Sequence, residues 1–222
     1  MEENLSERQQ IEQVRDWLKE NAPWAIAGIV LGVGGLIGVQ QWRGWQESQS
    51  LTAAAKYTAT LTALGGNSPE DATKLVAELR EHYSRTPYPD MAALAVAHFD
   101  VDTGKLAEAA TLLGEVAKSG RDAELQAVAR LRLARVQRAL GKPDEALATL
   151  GAATPADLPA YADARGDLLA DKGDQAGALS AWHAALAGAG LDPAARELIE
   201  LKITAAGGEL PAPVAAATGV KP

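Results

Sequence analysis

The strongest hydrophobic pattern in the chain is a charge-free run over residues 22–39. At a rise of about 1.5 Å per residue, a helix of this length is roughly 27 Å long, close to the ~30 Å hydrocarbon thickness of a bilayer. The run contains Gly28, Gly32, Gly34, Gly35 and Gly38. In water each glycine would weaken a helix by up to about 1 kcal/mol relative to alanine, whereas such glycines are ordinary in lipid. The pattern predicts a transmembrane helix over residues 22–42.

Tryptophans bracket this run on both sides. Four of the five in the chain lie there: Trp17, Trp24, Trp42 and Trp45. At a membrane interface an indole buries its ring and keeps its N–H hydrated. A buried helix of a soluble domain would show a polar stripe, and a cleaved signal peptide would need a short basic leader and a small-residue cleavage site. An uncleaved single-pass anchor fits the sequence better than either alternative.

The segment before the span, residues 1–21, has the spacing of a short amphipathic helix, with Ile11, Val14 and Leu18 on one face. Pro23 is expected to break that helix before the span. The segment is either a cytosolic contact arm or a hydrated lead-in at the lipid headgroups. Lysine and arginine are more frequent just before the span than just after it, which predicts a cytoplasmic N-terminus and a remainder outside the cytoplasm.

After the span the periodicity is helical, with no alternating pattern of strands. Glycine and proline clusters separate the predicted segments. The predicted helices are Gln46 to Leu64, Pro69 to Tyr83, Asp90 to Thr103, Lys105 to Lys118, Asp122 to Leu140, Pro143 to Leu150, Pro159 to Lys172, Gln175 to Ala187 and Pro193 to Ala205. The Ala, Pro and Gly-rich tail over residues 207–222 is predicted to be disordered.

An internal repeat starts at Gly104, Gly141 and Gly173, which are 37 and 32 residues apart. Alanine stands five residues after each glycine, a bulky apolar residue nine after, and a small residue seven before. These residues are Ala109, Ala146 and Ala178; Leu113, Leu150 and Trp182; and Ala97, Ala134 and Gly166. The spacing is close to the roughly 34 residues of tetratricopeptide (TPR) helix pairs. It predicts an all-α, TPR-like right-handed solenoid over residues 43–206, with residues 46–83 as a degenerate first pair; a helical array without repeats is the alternative.

The net charge of −8 and the isoelectric point near 5.0 argue against two classes of binding partner. Nucleic acids and anionic membrane surfaces reward a basic face, and the chain has no basic stripe. The chain has no cysteine, which excludes disulfides, thiolate metal sites and cysteine nucleophiles. We therefore expect neither nucleic acid nor a small-molecule substrate as a partner.

Motifs of catalysis and cofactor binding are missing from the sequence. The glycines at 32, 34 and 35 do not complete a dinucleotide-binding loop, because Ile37 stands where the third glycine is needed. The three histidines fall in different predicted helices, and only His98 has a carboxylate, Asp102, at helical spacing. That pair is more typical of a surface hydrogen bond than of a metal or catalytic site. The sequence predicts a non-enzymatic protein without a cofactor or metal; a pair of converging carboxylates would be the alternative.

Two sets of residues are candidates for contacts with partners. In TPR arrays the first helix of each pair lines a concave groove, which here predicts a peptide- or partner-binding surface. Its residues are Met91, Leu94, His98, Val128, Leu131, Arg135, Arg138, Asp163 and Asp167. In the span, GxxxG spacing favours close helix packing in lipid. The residues concerned are Gly28, Gly32, Gly34 and Gly38.

Three stretches together resemble the YfgM family, the ancillary subunit of the bacterial SecYEG translocon. They are VLGVGGLIGVQQW, LRLARVQRALGKPDEAL and DARGDLLADKGDQAGALSAWHAAL, and the similarity runs from about Gln10 to about Thr204. The resemblance implies a single-pass inner-membrane protein with a periplasmic TPR domain. It also implies two partners, the SecYEG channel and a PpiD-like periplasmic chaperone, and a role in passing translocated proteins to chaperones. The alternative is a periplasmic TPR scaffold for envelope assembly.

Overall fold

The computed structural model describes the backbone of residues 3–151 and 159–211. Of the first 29 side chains it describes those of residues 12, 15, 17, 24, 27 and 28. Within these ranges every regular element is a helix and no strand occurs. The helices are α1 (Glu3–Gly65), α2 (Pro69–His82), α3 (Tyr88–Asp102), α4 (Leu106–Ser119), α5 (Ala123–Ala139), α6 (Pro143–Gly151), α7 (Pro159–Asp171), α8 (Gln175–Ala187) and α9 (Pro193–Ala205).

The bounds of α2 to α9 agree closely with the predicted ones, and the prediction of an all-helical chain is confirmed. Prolines open several helices, because the first helical position needs no N–H donor; these are Pro69, Pro143, Pro159 and Pro193. Three aspartates cap helix N-termini by accepting backbone N–H bonds; they are Asp122, Asp174 and Asp192. Both residue types are signals of a helix start that can be read from the sequence.

The chain divides into two compact units, residues 1–52 and residues 53–222. In the first unit α1 continues through Pro23, so the expected break there is wrong. Proline removes one backbone donor, and the hydrogen bonds of the turns before and after it are enough to carry the helix on.

The predicted transmembrane helix lies within α1. Among the residues whose side chains are described, no helix combines the length and the apolar character that crossing a membrane requires. Within the predicted span, the side chains of Ala22, Pro23, Ala25, Ile26 and Ile29 lie outside the described set. The span stays a prediction.

The second unit is built from helix pairs joined by turns of one kind. Among the described residues six have φ angles between 56° and 80°. Gly190 is one of them, and the other five share one turn geometry: Asn67, Gly104, Gly141, Gly173 and Gly207. At the second turn, the N–H of Lys105 donates to the carbonyl of Asp100 at 2.7 Å, and the N–H of Gly104 donates to that of Val101 at 3.1 Å. The same pair of bonds recurs at the other four turns and caps the preceding helix. Asn67 and Gly207 therefore extend the glycine register of the sequence in both directions.

The repeated small residues lie where two helices of a pair approach each other. The alanines five positions after the first four turn residues are almost completely buried: Ala72, Ala109, Ala146 and Ala178. The large residues nine positions after these turn residues are buried as well: Val76, Leu113, Leu150 and Trp182. The repeat pattern of the sequence therefore marks packing positions, and it extends to the first pair.

Gly166 and Trp182 form the tightest contact of this type. A Cβ added to Gly166 would lie 2.5 Å from Cδ1 of the indole. The pairs at Gly104 and Gly141 have alanine and leucine at these two positions, so the smaller residue of α7 matches the larger ring of α8. The substitution of one member alone would break this match.

The core of the second unit is divided along the chain rather than gathered at one centre. One cluster joins the end of α1 to α5, the next joins α5 to α7, and the last joins α7 to α9. Each cluster therefore depends on neighbouring helices, as expected for a repeat array.

Candidate partner-binding face

The first helices of successive pairs lie side by side, since α3 contacts α5 and α5 contacts α7. They carry all nine residues of the predicted groove. His98, Val128, Arg135 and Arg138 are exposed, and Val128 is 38% exposed despite its apolar side chain. Leu94 is only 6% exposed and belongs to the first core cluster, so its side chain is packed inward.

The remaining members of the set are half-buried: Met91, Leu131, Asp163 and Asp167. Leu131 packs against the second core cluster, and it therefore contributes to the array as well as to its surface. The predicted set is thus a mixture of surface and core residues.

A charged network forms where α5 meets α7. Nε of Arg138 lies 2.5 Å from Oδ2 of Asp171, and its Nη2 lies 2.9 Å from Oδ1 of the same carboxylate. Its Nη1 lies 3.1 Å from Oδ2 of Asp167. The bidentate bond holds the pKa of Asp171 below its usual value and raises that of Arg138. One guanidinium therefore forms ion pairs with two carboxylates of α7.

The network continues to the last helix. Nζ of Lys202, on α9, lies 2.7 Å from Oδ1 of Asp163 and 2.7 Å from Oδ1 of Asp167. The indole N–H of Trp182 donates to Oδ1 of Asp167 at 3.2 Å. Asp167 thus accepts from three helices, and its side chain is held in one position.

Three members of this network were missed in the sequence: Asp171, Lys202 and Trp182 as a donor. The spacing Asp163, Asp167, Asp171 does give a signal, because residues four apart share one helix face. The two cations, Arg138 and Lys202, lie 25 to 39 residues from these aspartates along the chain. No local pattern in the sequence shows which cation pairs with which aspartate.

An open cleft of about 430 Å³ lies beside the network. Alanines of α5 and α7 form part of its wall, and Arg135, Arg138, Asp167 and Asp171 supply its polar groups. This arrangement can hold an extended or helical segment against small apolar residues, with both donors and acceptors at hand.

The pair of His98 and Asp102 lies at the protein surface. Nε2 of His98 lies 3.6 Å from Oδ2 of Asp102, and both side chains are exposed, as expected for a surface pair. Within the described ranges, no group of three or more histidine, aspartate or glutamate side chains converges in a way that could hold a metal ion.

Comparison with known proteins agrees with the repeat pattern of the sequence. Residues 15–208 match the family of tetratricopeptide repeat-like domains. The chain is 36% identical over 207 residues to a protein of Escherichia coli (strain K12) named ancillary SecYEG translocon subunit, covering 91% of this chain and 98% of the relative. A protein of the same name from Haemophilus influenzae (strain Rd) is 30% identical over 184 residues, covering 82% of this chain and 89% of the relative. One from Neisseria gonorrhoeae is 26% identical over 205 residues. No solved structure matches the chain.

Proposed function

We propose that this chain, which belongs to the YfgM family of ancillary SecYEG translocon subunits, is a membrane-tethered TPR adaptor at the translocon. The observation that carries the proposal is the end-to-end similarity to relatives with that name, 98% of the Escherichia coli protein being covered. A shared repeat alone would support only the fold, because TPR arrays serve many unrelated partners.

The proposed anchor is the helix over residues 22–42, with residues 1–21 in the cytoplasm and residues 43–206 in the periplasm. Of the predicted tail over residues 207–222, residues 212–222 lie outside the described residues. Its support is the charge-free run and the lysine and arginine bias around it. Trp42 and Trp45 add to that support, since both indoles are exposed and their centroids lie 5.6 Å apart. An inner-membrane location follows from this arrangement.

The concave face is the proposed binding surface for a segment of a partner polypeptide. Its support is the cleft of α5 and α7, where exposed Arg135 and the Arg138 network flank small apolar residues. An anchor that holds this face near its partner raises the effective concentration to roughly millimolar. A low intrinsic affinity is then sufficient, and release remains fast.

The proposed partners are the SecYEG channel and a PpiD-like periplasmic chaperone, and the proposed activity is the transfer of translocated proteins to chaperones. The function is one of binding and needs no enzyme chemistry.

Affinity purification of the full chain from detergent-solubilised membranes tests the proposal. We expect SecYEG components to co-purify with the wild-type chain, and a chaperone of the PpiD type to be crosslinked to it in intact cells. A variant with Arg135→Ala and Val128→Asp should keep the anchor and lose crosslinks of the concave face. Recovery of cell-wall or outer-membrane machinery in place of SecYEG would contradict the proposal and favour an envelope scaffold.

A further inference from the structure

A second cleft, separate from the charged network of Arg138, Lys202 and the aspartates of α7, contains a buried carboxylate. It is an open cleft of about 400 Å³ formed by the first turns of α2 and α4 and the last turn of α3. Asp100, which lines it, is only 6% exposed. A carboxylate is buried to this extent only rarely unless it is paired.

The carboxylate of Asp100 has no partner among the described residues. The bonds at this residue end on its backbone carbonyl, which accepts from the N–H of Lys105 and the hydroxyl of Thr103. Every fully enclosed side-chain oxygen or nitrogen in the described part of the chain does have a partner. The unpaired oxygens of Asp100 must therefore retain access to the cleft.

The internal repeat shows that the fold does not need an acid at this position. Four residues before the other turn residues stand Ala63, Gln137, Leu169 and Ile203. Gln137 is the polar one, and its Oε1 accepts a hydrogen bond from the hydroxyl of Thr149 at 2.8 Å. Thr149 stands eight residues after Gly141; the residue eight after Gly104 is Leu112, which offers no donor to Asp100.

This buried acid has a cost to the free protein. An unpaired buried polar group destabilises the folded state, and does so more strongly when it is charged. Burial raises the pKa of Asp100, although the positive charge of Lys105 opposes the shift. A cationic group entering the cleft would offset that cost, whereas an anion or an apolar group would not.

The other charges of the lining point to the same kind of ligand. Exposed carboxylates of Glu70 and Glu108 stand on the α2 and α4 sides, and Lys105 supplies the one cation of the lining. The three carboxylates do not converge on a metal position. The charges of the lining therefore favour an organic cation, and 400 Å³ is enough for a long side chain.

We propose that the cleft binds an arginine or lysine side chain of a polypeptide partner, with Asp100 as the acceptor of its N–H groups. Glu70 and Glu108 attract the cation at the entrance, and the methylene groups of the ligand pack against Leu112. The site is independent of the translocon proposal, because it rests on α2, α3 and α4 alone.

Methyl NMR of the full chain in detergent micelles tests this site with Nα-acetyl-arginine methylamide as the probe. The methyl groups of Leu112, Thr73 and Thr111 line the cleft and report on its occupation. We expect their signals to shift and to saturate with the arginine probe. The neutral isostere Nα-acetyl-citrulline methylamide should leave them in place, because it brings no charge to Asp100.

Two variants make the test specific. Asp100→Asn should weaken binding by about tenfold or more, since a charge-assisted bond becomes a neutral one. Asp102→Asn removes the same charge from an exposed position nearby and should bind like the wild type. Thermal unfolding of Asp100→Asn shows whether the variant is folded. The proposal is overturned if neither probe causes a saturable shift, if citrulline acts like arginine, or if Asp100→Asn binds as tightly as the wild type.

Discussion

The two ends of the repeat array use the same backbone motif and treat buried acids in opposite ways. Around α7 to α9, Asp163 and Asp167 are largely buried, and Arg138 and Lys202 satisfy them. Around α3 and α4, Asp100 is more deeply buried and has no cation within ion-pair distance among the described residues. Because turns and alanine contacts are the same at both ends, the fold alone does not explain the difference. Paired acids stabilise the array, while an unpaired one marks a place for a ligand.

Packing in the α7 to α8 pair should give the largest effect. Gly166→Ala places a Cβ against the indole of Trp182, and we expect a loss of about 1–3 kcal/mol in the free energy of unfolding. Trp182→Leu leaves a cavity and should cost about 2–4 kcal/mol.

The double variant Gly166→Ala, Trp182→Leu recreates the alanine and leucine pair of two other repeats, Ala97 with Leu113 and Ala134 with Leu150. Its loss should be smaller than the sum of the single losses by at least about 1 kcal/mol in urea unfolding. Strict additivity would show that the two residues do not form a matched pair.

Removal of a network cation is the next largest change. Lys202→Met leaves Asp163 with no cation at ion-pair distance among the described residues, while Asp167 keeps Arg138. We expect a loss of about 1–2 kcal/mol in urea unfolding. Lys74→Met is the matched control, since its partner Asp71 is exposed and the pair adds little to stability. Equal losses for the two variants would contradict the difference between the ends.

Asp100→Asn should have the opposite sign. Removing an unpaired buried charge is expected to raise the free energy of unfolding by about 1 kcal/mol at pH 7. The exposed counterpart Asp102→Asn should change it by less than about 0.5 kcal/mol. A destabilised Asp100→Asn would mean that the carboxylate has a structural partner.

The smallest effect is a pH dependence that again differs in sign between the two ends. The folded-state pKa of Asp100 is raised, so its penalty is full at neutral pH and disappears as the pH falls through that pKa towards the usual 3.8. The stability gain of Asp100→Asn should therefore shrink between pH 7 and pH 4. The pKa of Asp171 is lowered, so its contribution is present above the usual value and is lost only at more acidic pH. Unfolding midpoints of the wild type and of Asp100→Asn across this range would test the sign.

The fold could be predicted from the sequence more completely than the candidate site, because the fold depends more on local signals. Helix bounds and the register at Gly104, Gly141 and Gly173 depend on local turn chemistry, which a sequence displays directly. The sequence analysis did not include Asn67 in the repeat register, because asparagine takes the place of glycine at that turn. It did not include Gly207 either, because that residue was assigned to the tail.

Prediction of the site was limited by distance along the chain. Arg138 was identified, but its pairing with Asp171 joins residues 33 apart, and Lys202 reaches Asp163 from 39 residues away. Asp100 drew no attention because its burial follows from how α2, α3 and α4 pack, and an aspartate near a helix end is ordinary in a sequence. The prediction at Pro23 failed for a different reason. Proline is a local signal for a helix break, but α1 continues through this residue.

Site-specific photocrosslinking of the membrane-embedded full chain tests the central claim most directly. The crosslinker replaces Val128 on the concave face in one sample and exposed Glu81, which lines neither cleft, in the other. We expect adducts with SecYEG components or with a polypeptide being translocated from position 128, and few or none from position 81. Adducts of equal yield from both positions, or adducts from position 81 alone, would contradict a translocon adaptor that binds through its concave face.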